Sequence, residues 1–476
     1  MKFLSSYLSR NKGYIRQTVV CCSVSIMTFV YGQLLAWPSL AIERISLGQG
    51  GFNVTETEIS IIVSMPTFGE FLMPIVFGFI LLKIGRRSNM ILNAVIYIVA
   101  WGFITFATSP LSLMIANFAA GLGSAIAMII GPIFIAEIAD KRIRGSLISV
   151  FITAIAIGEV FSTSVGIILT YFQLNLISLV LAVVTFFSIV LLATESPSWH
   201  IMCGKQEKAE KCFRYYWNSA FGVEEEKVAA GLAELKEVVE EEMKSACSYL
   251  ELFRTPSNVR ASIIVIALSI FQASSGIIAM LTYASTTLPK YDGFWQPNPT
   301  MALVNLLDLI FNIISVGLID RLGRKPLSII SNAGDAVGTG IIASYFFIDE
   351  YTNLDTSNIK WVPYIGILVF ISSYGVAMAT MPHILVGELF PANVRYHASV
   401  VSVVCIAGAF AFFNFIYLHV CRVAGVSVMF LIFTMSSVAA TIFSYLYMFE
   451  TKNLSLSEIQ MKAMGKSQPK EVLSKA

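Results

Sequence analysis

Charge is what this chain has least of. Asp, Glu, Lys and Arg make up 13% of its 476 residues, about half of the ~25% usual in soluble domains, and that deficit excludes an ordinary water-soluble globule. The chain also lacks a G-x-x-x-x-G-K-[ST] phosphate loop, which excludes an ATP-driven pump, and it lacks Cys/His metal-ligand spacing. Enzyme chemistry, a cofactor and a metal are therefore not expected. Seven cysteines lie scattered, so no extracellular disulfide framework is available. Gly338 opens G-T-G-I-I-A, which matches a dinucleotide turn in pattern alone and, inside an apolar run, reads as close helix packing.

What is present is apolar: 56% of residues are hydrophobic and the mean hydropathy is +0.74. Lys2, Arg10, Lys12 and Arg16 precede a first apolar run of about 20 residues, enough to span a bilayer. That run is too long for a signal peptide and no A-x-A-like cleavage site follows it, so it reads as a permanent span. Stretches of spanning length lie near 17–38, 59–82, 89–108, 111–136, 147–171, 175–194, 261–288, 301–320, 326–348, 361–386, 397–418 and 425–449. The expected fold is an all-α membrane protein of twelve transmembrane helices in two sixes.

The distribution of positive charge sets the orientation. Of 32 lysines and arginines, only Arg44, Lys290, Lys360 and Arg422 fall in loops on one face, so the face holding the other 28 is expected to be cytosolic, with both termini. Asn53-Val54-Thr55 then lies in the first outer loop, where glycosylation of Asn53 is expected. Residues 198–258 turn polar, with Lys205, Lys208, Lys211 and Arg214 ahead of an acidic run, and read as a cytosolic helical linker. The expected organisation is a first six-helix bundle over 1–197, the linker over 198–258, a second bundle over 259–452 and a cytosolic tail over 453–476.

The two sixes echo one another. Gly85-Arg86-Arg87 corresponds to Gly323-Arg324-Lys325 at an offset of 238 residues, with Asp320 and Arg321 just ahead of the second copy. Glu137 with Arg144 corresponds to Glu388 with Arg395 at 251, and Glu195-Ser196-Pro197 to Glu450-Thr451-Lys452 at 255. Offsets that drift so little are those of a duplicated half with small insertions, which predicts parallel repeats.

With Gln272, Ser275-Gly276, Gly387 and Pro391 added, these motifs resemble the sugar porter branch of the major facilitator superfamily, nearest in pattern to its insect facilitated trehalose transporters. They run in order through both halves. The resemblance implies a substrate near the bilayer midplane between halves that rock to alternate access. It also implies cytosolic gate charges at Arg86, Arg87, Glu137, Arg144, Glu195, Asp320, Arg324, Glu388, Arg395 and Glu450, paired when the inner face is shut. The same charges also suit the anchoring of helix ends at the interface. The family has an acid where this chain has Leu82.

Gln272, Ser275, Gly276, Ala279 and Tyr283 fall at i, i+3, i+4, i+7 and i+11, one expected stripe of the seventh helix, able to line a polyol site or a tight helix contact. The resemblance implies sugar contacts there, but Ala273, Ile278, Ile152, Asp308 and His383 replace its polar or aromatic residues, so the pocket has diverged. Ionisable residues inside spans are functional candidates by default: Glu70, Glu159, Asp308, Asp335 and His383. Proton-coupled relatives carry an acid where Tyr31-Gly32-Gln33-Leu34 ends in Leu34, which points to a uniporter, although Asp308 with His383 offers a proton route. Pro382 should kink the tenth helix.

The expectation is facilitated transport of a small neutral sugar, trehalose or a hexose, across the plasma membrane. The bilayer is the only other partner expected, with no nucleic acid and no obligate protein. A proton symporter is the alternative, and a non-transporting nutrient sensor is disfavoured by a tail of only about 27 residues after the twelfth span.

Overall fold

The computed structural model describes residues 12–46, 48, 51–140, 143–217, 225–244, 249–289, 297–452, 454 and 456–464. Among these residues the only regular secondary structure is helical. Helices α1 (Lys12–Ser46), α2 (Glu56–Lys83), α3 (Arg86–Thr105), α4 (Pro110–Ile138), α5 (Arg144–Gly166) and α6 (Tyr171–Leu192) form the first six spans. Short helices α7 (Pro197–Met202), α8 (Gln206–Trp217) and α9 (Glu225–Lys244) follow. The second six are α10 (Pro256–Ser274) with α11 (Ile277–Thr287), α12 (Pro297–Leu322), α13 (Arg324–Tyr351), α14 (Val362–Val376) with α15 (Met381–Leu389), α16 (Ala392–Ala424) and α17 (Val426–Tyr447), before α18 (Leu456–Ala463). The chain divides into two compact units, Met1–Ser245 and Ala246–Ala476, with the linker helices in the first.

Local chemistry places the helix starts. Thr55 caps α2 through a capping box with Glu58, its backbone N–H donating to Glu58 Oε2 at 2.7 Å, and Thr170 caps α6 with Gln173 in the same way. Pro110 enters α4 in its first turn behind Ser109, where a missing N–H costs nothing.

Eleven stretches of the described residues are long and apolar enough to cross a membrane. The twelfth expected span, α13, is 28 residues long but fails on composition. Ser328, Ser331, Asn332, Asp335 and Thr339 run along it and are all buried, so its polar side faces other helices rather than lipid. Asn332 Nδ2 donates to Ser444 Oγ at 3.3 Å and Thr434 Oγ1 to Thr339 Oγ1 at 3.1 Å, both across to α17.

Packing inside the units follows one scheme. In the first, α1 packs on α5, α2 on α4, and α3 on α4 and α6; in the second, α10 and α11 pack on α16, α12 on α14, and α13 on α14 and α17. The second unit thus repeats the first, span for span. Glycines set the closest approaches: a Cβ on Gly32 would overlap the carbonyl of Ile155, and one on Gly121 the carbonyl of Pro66. Small residues at such crossings let backbones meet where lipid offers no hydrophobic drive. The linker is fastened to the first unit by Gln17, whose amide donates to Tyr216 O at 3.2 Å and accepts from Asp140 N at 3.0 Å. Arg16 donates to Tyr215 O at 2.6 Å.

Candidate functional site

The duplicated charge motifs form two clusters, one inside each unit. In the first, Arg86 at the start of α3 bonds Glu137 Oε1 through Nη2 at 3.1 Å and Nε at 3.3 Å. Glu195 Oε1 accepts from the backbone N–H of Arg87 and of Ser196, both at 3.0 Å. Arg87 reaches Val190 O at 2.8 Å, and Arg144 Nη2 donates to Ala139 O at 3.4 Å.

The second cluster copies the first. Arg324 at the start of α13 bonds Glu388 Oε1 through Nη2 at 2.7 Å and Nε at 2.9 Å, and Arg395 Nη2 donates to Phe390 O at 3.2 Å. Glu450 accepts from the backbone N–H groups of Arg324, Lys325, Thr451 and Lys452 at 2.9 to 3.1 Å, and Thr451 Oγ1 donates to Glu388 Oε2 at 2.6 Å. Gly323 takes φ +93°, and a Cβ there would sit 2.6 Å from Glu450 Oε2. Burial pushes the Glu450 carboxyl up, but the four backbone N–H groups outweigh it and hold it below the usual carboxylate range. The side chains of Asp320 and Leu82 lie outside the described residues. Each ion pair is internal to its unit, and each cluster ties a helix start to a neighbouring helix end and to the segment after the sixth or twelfth span.

The expected seventh-helix stripe is corrected by the structure. The span breaks at Ser275 and Gly276, where Gly276 takes φ +95° and a Cβ would lie 2.5 Å from the Phe433 ring. Spacing counted along a continuous helix therefore does not hold beyond Ser275. Gly276 serves the break and the contact with Phe433, and Tyr283 is buried, stacked on Tyr417 with centroids 4.8 Å apart.

The tenth span also breaks, at residues 377–380. Pro382 is not the centre of a kinked helix but a first-turn residue of α15, the position proline tolerates.

Gln272 joins the two breaks. It is 5% exposed, and its Nε2 donates to Ala379 O at 3.0 Å, a carbonyl in the tenth-span break, and to the Tyr374 hydroxyl at 3.2 Å. Its Oε1 is buried without a hydrogen-bond partner among the described residues. Ser275 Oγ donates back to Gln272 O at 2.8 Å. Tyr374 and Ala379 were not singled out by sequence, because only the break brings them to Gln272.

Asp308 Oδ2 accepts from Asn312 Nδ2 at 2.9 Å, and a Cβ on Gly375 of α14 would lie 3.3 Å from Oδ1. His383 is exposed on α15, and no hydrogen bond or ion pair joins it to Asp308. Ala273 and Ile278 are buried. Leu34 is 1% exposed within an apolar cluster that includes Val30 and Trp37, so the acid position of proton-coupled relatives is here a core residue. Asn53 is exposed just ahead of α2.

Two repeated units of six spans, with helices broken around a buried amide, define a multi-pass membrane carrier of the major facilitator fold. A solved structure of the xylose transporter XylE from E. coli in an inward open conformation superposes with a TM-score of 0.74 at 20% identity, covering 94% of this chain and 98% of that one. The chain belongs to the family described as Sugar (and other) transporter, whose profile matches residues 27–463. It is similar to Sugar transporter ERD6-like 7 of Arabidopsis thaliana, 28% identical over 94% of this chain and 93% of that protein. It is also similar to the facilitated trehalose transporter Tret1 of Drosophila willistoni, 25% identical over 94% of this chain, which spans 51% of that longer protein. The family is one of carriers, not of enzymes.

Proposed function

We propose that the protein carries a sugar, trehalose or a hexose, down its gradient across the plasma membrane by alternating access, with both termini cytosolic. The observation that carries this reading is Gln272. It is a buried amide held between two interrupted spans, with Oε1 unused and therefore able to accept from a substrate hydroxyl. Broken helices near the midplane are where transporters of this kind bind their solutes, because freed backbone groups and small polar side chains meet there. In this reading Ser275 and Asp308 contribute polar contacts, His383 and Tyr283 flank them, and Gly276 supplies the break. The Arg86–Glu137 and Arg324–Glu388 clusters form the cytosolic gate, with Glu195 and Glu450 fixing the helix starts and Arg87, Arg144, Asp320 and Arg395 completing it. Asn53 takes the outer glycan.

Facilitated rather than driven transport is supported by Leu34, which fills the position of the first-helix acid with a core side chain. The test is uptake of labelled trehalose and glucose in a heterologous cell. Saturable uptake that stops at the outside concentration is expected. Gln272→Ala should raise KM by about tenfold, the equivalent of one buried hydrogen bond of about 1.4 kcal/mol. Absence of saturable sugar uptake, or accumulation that a proton ionophore abolishes, would overturn the reading.

A further inference from the structure

Glu70 sits in the middle of α2, 7% exposed. Both of its carboxylate oxygens lie against one donor, the Tyr31 hydroxyl of α1, at 3.1 and 3.3 Å. Around this pair the ionisable groups are Tyr97 of α3, within electrostatic reach of both Tyr31 and Glu70, and Glu159 of α5, within reach of Tyr31. Helix α4, packed along α2, carries one ionisable residue, Glu137, at its far end on Arg86. None of these neighbours is a cation. The lysines and arginines of α1 to α5 lie within the first or last two turns of their helices, and residues 12–192 contain no histidine.

An ionised carboxylate taken out of water with no cation beside it costs several kcal/mol, and a single hydroxyl donor recovers only part of that. A bound proton removes the charge and leaves the hydrogen bond to Tyr31 in place. We infer that Glu70, held by Tyr31, is a proton-binding site inside the first unit, loaded in the packing seen here and emptied when α1 and α2 part and water reaches the carboxyl.

The sign follows from linkage. The packing that buries Glu70 binds the proton, so it is favoured at low pH and loses ground as pH rises, while a packing that hydrates Glu70 gains. If cycling between the two limits transport, the rate moves with pH, by at most about tenfold per pH unit for one site. The proton sets the rate of the cycle, and the sugar gradient still sets the direction of net flux. The link to rate rests on the transport function proposed above; the site does not.

Infrared spectroscopy of the full chain in lipid, titrated from about pH 5 to about pH 9, reads the site directly. The difference spectrum between the natural chain and Glu70→Gln should contain a protonated-carboxyl band that disappears as pH rises, and that band should move in Tyr31→Phe, which removes the hydrogen bond and keeps the acid. Sugar uptake over the same range should change several-fold in the natural chain and be flat in Glu70→Gln. A difference spectrum with no titrating carboxyl band would overturn the site, and a pH profile of uptake left unchanged in Glu70→Gln would overturn its link to rate. Absence of sugar uptake at every pH with the band intact would overturn the transport reading alone.

Discussion

Four amide protons converge on Glu450, and that convergence explains why a carboxylate stands after the last span. The start of α13 leaves N–H groups unpaired and carries the positive end of the helix dipole, and an acid placed there answers both. Its folded value lies below that of a free carboxyl. The stability it contributes is therefore fully present above the ordinary value of about 4.3 and is lost as pH falls through the lower folded value. Glu450→Gln keeps the shape but loses the charge. It should lower stability by about 1–2 kcal/mol, read as a lower thermal midpoint at neutral pH, and the gap to the natural chain should close in acid. Sequence made this residue legible through the match of Glu450-Thr451-Lys452 to Glu195-Ser196-Pro197. It did not reveal the partners, because Arg324 and Lys325 reach Glu450 through backbone amides, which leave no signature in side-chain type.

Elements were legible where hydropathy alone governs them and obscure where packing does. The spans expected from apolar runs match helices to within about five residues, except that α1 runs to Ser46 and α16 to Ala424, well past the expected ends at 38 and 418, and even α13, with its polar side, is ordered because that side is buried. The breaks in the seventh and tenth spans were not legible. Ser275 and Gly276 keep the helical spacing of a continuous stripe, and the residues of the second break, Ala377 to Thr380, include no glycine or proline. The interruption holds because Gln272 satisfies a carbonyl the tenth span releases and because Phe433 occupies the space beside Gly276.

Gly276→Ala tests this at the level of the element. A side chain at φ +95° is strained by about 1–3 kcal/mol, and its Cβ meets the Phe433 ring, so the break must shift. Loss of sugar uptake with a lowered thermal midpoint is expected. Gly317→Ala, with open space around it on α12, should leave both unchanged. Equal behaviour of the two variants would mean that the break has no role.

For the whole molecule, the duplication is the organising fact, and it reaches beyond motif to contact. Arg86–Glu137 and Arg324–Glu388 occupy the same place in two units that share one packing scheme, each pair mostly shielded from water, with exposures of 9% and 15% in the first and 14% and 24% in the second. Removing one partner leaves a shielded charge alone, which costs about 3–5 kcal/mol for a fully buried pair and less here in proportion to exposure. Because each pair is internal to its unit, the stability losses of Arg86→Ala and Arg324→Ala should add to within about 0.5 kcal/mol in the double variant, as independent sites do. Transport should behave differently. If both clusters hold one gate, the second substitution acts on a gate already loosened, and the double variant should lose much less than the product of the two single losses in uptake rate. Additive stability with non-additive uptake would assign the clusters a shared task in the cycle. Additivity in both would reduce them to two separate fastenings of helix ends.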